Sequence, residues 1–303
     1  MPMADKAMTS ETRSLAVPMV RLARPHQWIK NLLVFAALLF SRRLFDYHDL
    51  LLALAGFAGF CALASFAYVL NDIMDREADR LNPDKRNRPL ASGEIGVPAA
   101  AVFAASLGAG ALGISAVLGW GFSAIAFAYI GLQFAYSLWA KHVVIVDVIA
   151  VALGFVLRAF AGGVAIGVAV SPWLIFITFV LALFLALSRR RHELTVLAGA
   201  ARAHREALGE YSVRLIDQML AIVAGATLVG YMIYSASEEV EARLGTHYQY
   251  LTVPYVVFGI LRYLYLVQER DEGADPSLML LSDRQLMISV ILWVATEILL
   301  LYA

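Results

Sequence analysis

Residues 50–70 read LLLALAGFAGFCALASFAYVL, and residues 71–80 read NDIMDREADR. The first stretch has no charged residue and is long enough to cross the hydrocarbon core of a bilayer as an α-helix, which takes about 20 residues. The second stretch places acidic and basic side chains directly at its end. This abrupt change predicts a transmembrane helix whose last turns reach an aqueous compartment.

Eight further apolar runs of this kind occur in the chain. They lie at residues 28–40, 97–119, 121–138, 143–170, 173–187, 218–235, 251–267 and 286–302. The chain is 61% hydrophobic and 16% charged, whereas soluble domains are about 45–50% apolar and about 25% charged. We therefore predict an all-α integral membrane bundle of nine transmembrane helices, of which the first is the shortest and carries Lys30 and Asn31 near its start.

The positions of the basic residues predict the orientation. If the N-terminus is cytoplasmic, only Arg42, Arg43 and Arg243 fall in outside segments, and nearly all other lysines and arginines are cytoplasmic. By the positive-inside rule this predicts a multi-pass protein of the inner membrane. Residues 1–20 are then a cytoplasmic tail and 21–303 a single membrane domain, with long cytoplasmic loops at 71–96 and 188–214 that are expected to carry the active site.

The charge balance gives no indication of a nucleic-acid partner, because 24 basic residues face 24 acidic ones. The single cysteine, Cys61, lies inside an apolar run and has no partner for a disulfide. Nothing in the sequence decides between a monomer and a homo-oligomer.

Three carboxylates follow the second predicted helix at spacings of three and four. On a continuing helix, Asp72, Asp75 and Asp79 project from one face, where their like charges repel. Oxygen ligands that converge in this way suit Mg²⁺, which commonly uses one or two carboxylates together with substrate phosphates. A solvated helix end with interleaved arginines is the alternative interpretation.

A basic segment comes next, with Lys85, Arg86 and Arg88 between two prolines. Carboxylates that hold a metal, followed by lysine and arginine, suit a diphosphate, because the metal bridges its oxygens and the cations take the remaining charge. These cations could instead serve only as positive-inside anchors.

The pattern Asn71-Asp72-x-x-Asp75-x-x-x-Asp79, followed by Lys85-x-x-Arg88-Pro89, resembles the first aspartate-rich motif of the UbiA-type intramembrane prenyltransferases. Tyr136 and Lys141 at the end of the fourth helix, and Asp147 with Arg158 in the fifth, are similar to the same family. The resemblance implies a nine-helix, Mg²⁺-dependent enzyme with a central cavity that opens to lipid. It makes Asn71, Asp72, Asp75 and Asp79 the expected metal ligands.

The second aspartate-rich motif of the aromatic-ring prenyltransferases is missing, since no aspartate occurs between Asp147 and Asp217. The corresponding loop carries a run of cations instead, which suits bare phosphate oxygens better than a second metal. The segments at 24–31, 190–194 and 253–263, and the tail from Gly273 to Arg284, resemble a branch of the family that joins phosphoribosyl pyrophosphate to a polyprenyl phosphate. We therefore expect pentosyl transfer, as a step in the synthesis of lipid-linked sugar precursors for the cell wall.

The candidate catalytic residues are Asp72, Asp75, Asp79, Lys85 and Arg88. The candidate substrate contacts are Arg24, Gln27, Lys30, Asn31, Tyr136, Lys141, Asp147, Arg158, Arg190, Arg191, Glu193 and Arg262. Asp147 and Arg158 share a helix face and could instead form an internal pair with a packing role, and Arg262 could merely snorkel to the interface. Prenyl transfer from a prenyl diphosphate to an aromatic or haem acceptor is the alternative enzymatic function. A membrane transporter is the alternative outside enzymes, because charged residues within spans also mark ion pathways.

Overall fold

A computed structural model describes residues 16–81, 85–197, 209–270, 273 and 275–303, and the predictions about residues 1–15, 82–84 and 198–208 lie outside this part. Every regular element in the described residues is helical. In chain order they are α1 (Ala16–Ala23), a 3-10 segment (Pro25–Phe35), α2 (Ala36–Phe40), α3 (Tyr47–Met74), α4 (Arg76–Leu81), α5 (Val97–Leu118), α6 (Trp120–Leu138), a 3-10 turn (Ala140–His142), α7 (Val146–Ala165), α8 (Pro172–Leu197), α9 (Val213–Ser235), α10 (Glu238–Leu244), a 3-10 turn (Gln249–Thr252), α11 (Val253–Glu269), α12 (Pro276–Ser282) and α13 (Arg284–Tyr302).

Eight helices in the described residues are long and apolar enough to cross a membrane. They are α3, α5, α6, α7, α8, α9, α13 and α11 together with the 3-10 turn before it, and each coincides with one of the predicted runs. The prediction of an all-α, multi-pass membrane bundle is therefore confirmed. The count of nine crossings and the cytoplasmic N-terminus stay predictions.

The first predicted span, at 28–40, is not a regular α-helix. It is an eleven-residue 3-10 segment that continues into the short helix α2. The segment lies directly against α7, where a Cβ atom on Gly162 would come within 2.0 Å of the Val34 carbonyl oxygen. Only glycine permits this approach, since real Cβ contacts are never so short. The segment can therefore lie this close to α7 only because residue 162 is glycine.

Helix α8 extends beyond its predicted end at residue 187. It continues to Leu197, so the first ten residues of the predicted loop at 188–214 are helical. The charged residues there have long unbranched side chains that suit a helix, and the Arg189 Nε atom donates to Glu193 one turn later at 3.1 Å. Arg189, Arg190 and Glu193 consequently have fixed positions relative to the membrane helices.

Helix α7 lies at the centre of the bundle. Its Val148 belongs to a core shared with α8, α9, α11 and α13, and its Ala161 and Ala165 belong to a core shared with α3, α5 and α6. Small residues along α7 allow neighbouring helices to approach closely, as is usual in membrane bundles. Polar groups on this helix must therefore find partners within the protein.

Candidate active site

A cavity of about 1840 Å³ occupies the interior of the bundle. One end is lined by charged and polar side chains: Arg24, Lys30, Asn71, Asp72, Asp75, Asp79, Lys85, Arg88, Tyr136, Ser137, Lys141, Arg189, Arg190, His192 and Glu193. The lining then continues through mainly apolar side chains of α2, α8, α9, α11 and α13 as far as Val168 and Leu244. The cavity thus joins a polar head to a long apolar body.

The junction of α3 and α4 supplies the carboxylates of the polar head. Helix α3 ends at Met74 and α4 begins at Arg76, but the backbone N–H groups of Asp75 and Asp79 still donate four residues back, both at 2.8 Å. The predicted helical spacing is therefore kept through the break. Asp72 and Asp79 are both buried, and the Arg88 Nη1 atom donates to both of them, at 3.0 and 2.7 Å.

We call Asp72, Asp75 and Asp79 the carboxylate pole. Their oxygen atoms fit a magnesium ion that shares its ligands with substrate phosphates. Asp75 is half-exposed to the cavity and lies 3.8 Å from the Lys141 ammonium, while Lys85 lies 3.7 Å from Asp79. The Asn71 Oδ1 atom, the fourth expected ligand, accepts from the Ser137 hydroxyl at 2.8 Å. Each carboxylate thus already faces a basic side chain, and those cations are placed to meet the phosphates that a metal would bring.

A different group comes closest to a ready-made cation site in the described residues. Asp46, His48 and Asp49 have ligand atoms within 4.8 Å of one another. They lie at the opposite end of α3, where the Asp46 carboxylate accepts from the Asp49 backbone N–H and Asp49 pairs with Arg43 at 3.1 Å. These contacts account for the cluster as a helix cap with its counter-ion.

Two cations of the N-terminal segment face the carboxylate pole. Arg24 has a left-handed backbone (φ 54°), which is unusual for a residue with a side chain. Its guanidinium donates to Asp72 at 2.5 Å and lies 4.9 Å from the centre of the Tyr68 ring. The strained backbone is therefore held by a charged hydrogen bond and a stacked ring.

Lys30 lies between the carboxylate pole and a second group of charges. Its charge interacts with the Asp275 carboxylate and with the guanidinium groups of Arg189, Arg158 and Arg24. Gln27 accepts from the Lys30 ammonium and donates to Asp275 at 2.5 Å, so it orients Lys30 from outside the cavity.

The end of α8 forms this second group, the cation pole, which consists of Arg189, Arg190 and Glu193. Arg190 is buried, and its guanidinium donates to Asp147 at 2.7 Å, to Tyr136 at 3.1 Å and to Glu193. Two carboxylates therefore compensate its charge. We expected Arg190 to bind a bare phosphate, but this geometry favours Arg189, which is half-exposed and lines the cavity.

Tyr211 completes the support of Arg190 and was not among the predicted site residues. Its hydroxyl accepts the Ile145 backbone N–H at 2.6 Å and donates to Asp147 at 3.0 Å. Burial raises the pKa of Tyr211, so it remains a donor at neutral pH. Ile145 has a positive φ of 68°, a strained conformation for a β-branched residue. No local sequence signal predicts a contact between residues 64 positions apart.

Six of the predicted substrate contacts do not line the cavity: Gln27, Asn31, Asp147, Arg158, Arg191 and Arg262. The internal pair suggested for Asp147 and Arg158 is wrong. Asp147 accepts from Arg190, whereas Arg158 donates to the Asn31 amide at 2.7 Å and to the Tyr129 hydroxyl at 2.8 Å. Arg158 thereby ties the 3-10 segment to α6 and α7.

The remaining two arginines form ion pairs outside the cavity. Arg191 pairs with Asp217 at 2.8 Å and donates to the Val267 carbonyl. Arg262 pairs with Asp283 at 2.7 Å, and its hydrogen bonds hold the pKa of Asp283 below the usual range. Both therefore connect helices, and the geometry gives no support to their role as substrate contacts.

Comparison with known proteins gives three consistent similarities. A sequence model of the UbiA prenyltransferase family matches residues 32–290. The decaprenyl-phosphate phosphoribosyltransferase of Corynebacterium glutamicum is 33% identical over 98% of this chain and 91% of its own length. The enzyme of the same name from Mycobacterium tuberculosis is 30% identical over 97% of each chain.

A solved structure shares the fold. The UbiA homologue from Archaeoglobus fulgidus bound to GPP and Mg²⁺ superposes with a TM-score of 0.69, over 94% of this chain and all of that one. Its 20% sequence identity supports a common fold only.

Proposed function

Since the chain belongs to the UbiA prenyltransferase family, and is thus a membrane-embedded transferase, we propose that it transfers 5-phosphoribose from phosphoribosyl pyrophosphate to a polyprenyl phosphate such as decaprenyl phosphate. The relatives of that name, similar over nearly the whole chain, support this choice within the family. The observation that carries it is the pairing of one carboxylate pole with one cation pole at the head of the cavity. A donor with phosphate at both ends of a sugar matches that arrangement.

The carboxylate pole would hold the pyrophosphate of the donor. Asp72, Asp75 and Asp79 are the residues that would bind Mg²⁺, which supplies positive charge to the pyrophosphate oxygens. Arg88, Lys85 and Lys141 lie beside these carboxylates and take up the charge that grows on the leaving group. Such preorganised cations act most strongly in a site that excludes water.

The reaction replaces one C–O bond at the anomeric carbon by another. The bond to pyrophosphate breaks, and the bonding electron pair leaves with the pyrophosphate oxygen. An anionic oxygen of the polyprenyl phosphate forms the new bond from the opposite face, so the chain needs no general base. Lys30 faces the cavity between the two poles and is placed to hold the lipid phosphate.

The apolar body of the cavity suits the prenyl chain. Side chains such as Leu33, Leu39, Leu174, Leu181 and Trp293 line it beyond the polar head. Each methylene group moved from water to such a surface contributes about 0.8 kcal/mol. The same cavity thus offers charge to the phosphates and apolar surface to the lipid tail.

The assay that tests this function supplies the purified protein with labelled phosphoribosyl pyrophosphate and decaprenyl phosphate, with and without Mg²⁺. We expect Mg²⁺-dependent transfer of label into the lipid fraction and release of pyrophosphate. Consumption of a prenyl diphosphate with an aromatic acceptor, and none of phosphoribosyl pyrophosphate, would instead support the alternative reaction of the family.

We further propose that the polar head faces the cytoplasm of the cell and that the protein lies in its inner membrane. Asn87 is exposed near the carboxylate pole, and Glu239 is exposed at the opposite end of the bundle. In a Cys61→Ala background, Asn87→Cys should react in intact cells only with membrane-permeant maleimide, whereas Glu239→Cys should also react with an impermeant reagent. The reverse pattern would contradict this orientation.

A further inference from the structure

In the part of the cavity wall that the structure describes, Glu193 is the acidic residue that lies outside the carboxylate pole. In the described residues the cavity lining includes four acidic side chains, and the other three are Asp72, Asp75 and Asp79. Glu193 comes from α8 and lies within the cation pole. A carboxylate there repels phosphate, so its presence needs a reason other than binding an anion.

The contacts of Glu193 fix its position. Its Oε1 atom accepts from Arg189 at 3.1 Å, and its Oε2 atom accepts from Arg190, which is itself held by the fully buried Asp147. The side chain of Glu193 is nonetheless a quarter exposed towards the cavity. A carboxylate accepts at about four lone-pair sites, so Glu193 can accept a hydrogen bond from a ligand in addition to its contacts within the protein.

The proposed donor has a part that neither phosphate-binding group can recognise. Its pyrophosphate belongs at the carboxylate pole and its 5-phosphate near Arg189, which leaves the ribose ring with its 2- and 3-hydroxyl groups between the two poles. Neutral hydroxyls are donors, and a carboxylate is the strongest acceptor that a protein offers them. Ribose hydroxyls are bound by an acidic residue in dinucleotide-binding folds for the same reason.

We propose that Glu193 accepts a hydrogen bond from a ribose hydroxyl of the donor and so makes the enzyme specific for a ribosyl substrate. This assignment rests on the proposed function. The negative charge of Glu193 also lies near the ring in which positive charge develops during transfer. Arg189 and Arg190 orient the carboxylate, and Arg189 remains available to the 5-phosphate on its exposed side.

The test removes the Glu193 carboxylate and each ribose hydroxyl, separately and together. The substrates are phosphoribosyl pyrophosphate and its 2-deoxy and 3-deoxy analogues, and the variants are Glu193→Ala and Glu193→Gln. A hydrogen bond to a charged group is worth about 1.5–3 kcal/mol, or roughly ten- to hundredfold in kcat/KM. Removal of one of the two hydroxyls should lower kcat/KM of the wild type by about that factor more than it lowers kcat/KM of Glu193→Ala. The intrinsic reactivity of each analogue cancels, because every variant uses the same compounds.

Lys141→Met is the matched control, because it removes a cation of the cavity wall that faces Asp75 and leaves the contacts of Glu193 with Arg189 and Arg190 in place. It should lower kcat/KM for all three substrates by the same factor, so that removal of the hydroxyl has the same effect as in the wild type. Glu193→Gln, which keeps the shape and an acceptor oxygen, should fall between wild type and Glu193→Ala.

Two results would overturn the assignment, and they are distinguishable. Equal costs of both hydroxyl deletions in the wild type and in the two Glu193 variants would show that Glu193 only holds the arginines, with the proposed function intact. A wild-type protein that does not use phosphoribosyl pyrophosphate at all would overturn the proposed function and this assignment with it.

Discussion

Asp72→Asn is expected to lower kcat/KM for phosphoribosyl transfer by about 10²–10³-fold. The asparagine keeps the shape of the side chain and can still accept from Arg24 and Arg88, so the polar head stays assembled. It loses the negative charge that a magnesium ion needs, and with it much of the electrostatic stabilisation of the departing pyrophosphate. Steady-state kinetics at several Mg²⁺ concentrations would measure both effects, and the Mg²⁺ requirement should move to higher concentration.

Glu77→Gln is the control for this variant. Glu77 lies in the same acidic segment but is exposed, and its ion pairs in the described part of the chain are with Arg76 and Arg80. Its neutralisation should leave kcat/KM and the Mg²⁺ requirement within about twofold of wild type. Equal losses in both variants, or full activity of Asp72→Asn, would remove Asp72 from the proposed metal site.

Asp147→Ala is expected to reduce the free energy of unfolding by about 3–5 kcal/mol, because it leaves the buried Arg190 short of one counter-ion. The variant also removes the acceptor of the Tyr211 hydroxyl, and that hydroxyl holds the strained turn at Ile145. Thermal unfolding in detergent would record the loss as a lower Tm. Activity should fall as well, since Arg190 positions Glu193 at the cavity wall.

Asp217→Ala provides the comparison, because its partner Arg191 follows Arg190 directly on α8. The Arg191–Asp217 pair has nearly the same length as the Arg190–Asp147 pair, 2.8 Å against 2.7 Å, but Asp217 is a third exposed whereas Asp147 is fully buried. Loss of Asp217 should reduce the free energy of unfolding by about 1 kcal/mol, closer to the contribution of an exposed ion pair. A Tm for Asp147→Ala as high as that for Asp217→Ala would contradict a structural role for Asp147.

The transmembrane helices were predictable because each one is a long apolar run, and length and hydrophobicity alone identify such runs. The grouping of Asp72, Asp75 and Asp79 was also predictable, since helical spacing places them on one face whatever the rest of the bundle does. Both inferences use only residues that are close in the sequence.

The partners of buried charges could not be predicted in the same way. Asp147 and Arg158 share a helix face, which suggested a mutual pair, yet Asp147 accepts from an arginine 43 positions away and Arg158 donates to an asparagine 127 positions away. The helix packing decides between such partners, and one sequence does not contain it. The same limit applies to Arg191 and Arg262, whose acidic partners lie on other helices.

The 3-10 segment has a geometric consequence for the N-terminal part of the chain. A 3-10 helix rises about 2.0 Å per residue and an α-helix about 1.5 Å, so the eleven residues of the segment and the five of α2 extend over about 30 Å. That length equals the hydrocarbon thickness of a bilayer, although an α-helix would need about 20 residues to cover it. A ninth crossing therefore requires no further helix of ordinary length.

Because a 3-10 helix has three residues per turn, side chains three positions apart lie in line along it. Lys30 and Leu33 are in line in this way, and both line the cavity. Asn31 and Val34, the next pair of residues, are buried. An α-helical winding would rotate Leu33 by about 60° relative to Lys30. Lys30 and Leu33 can thus face the phosphate and the apolar tail of the same lipid, respectively.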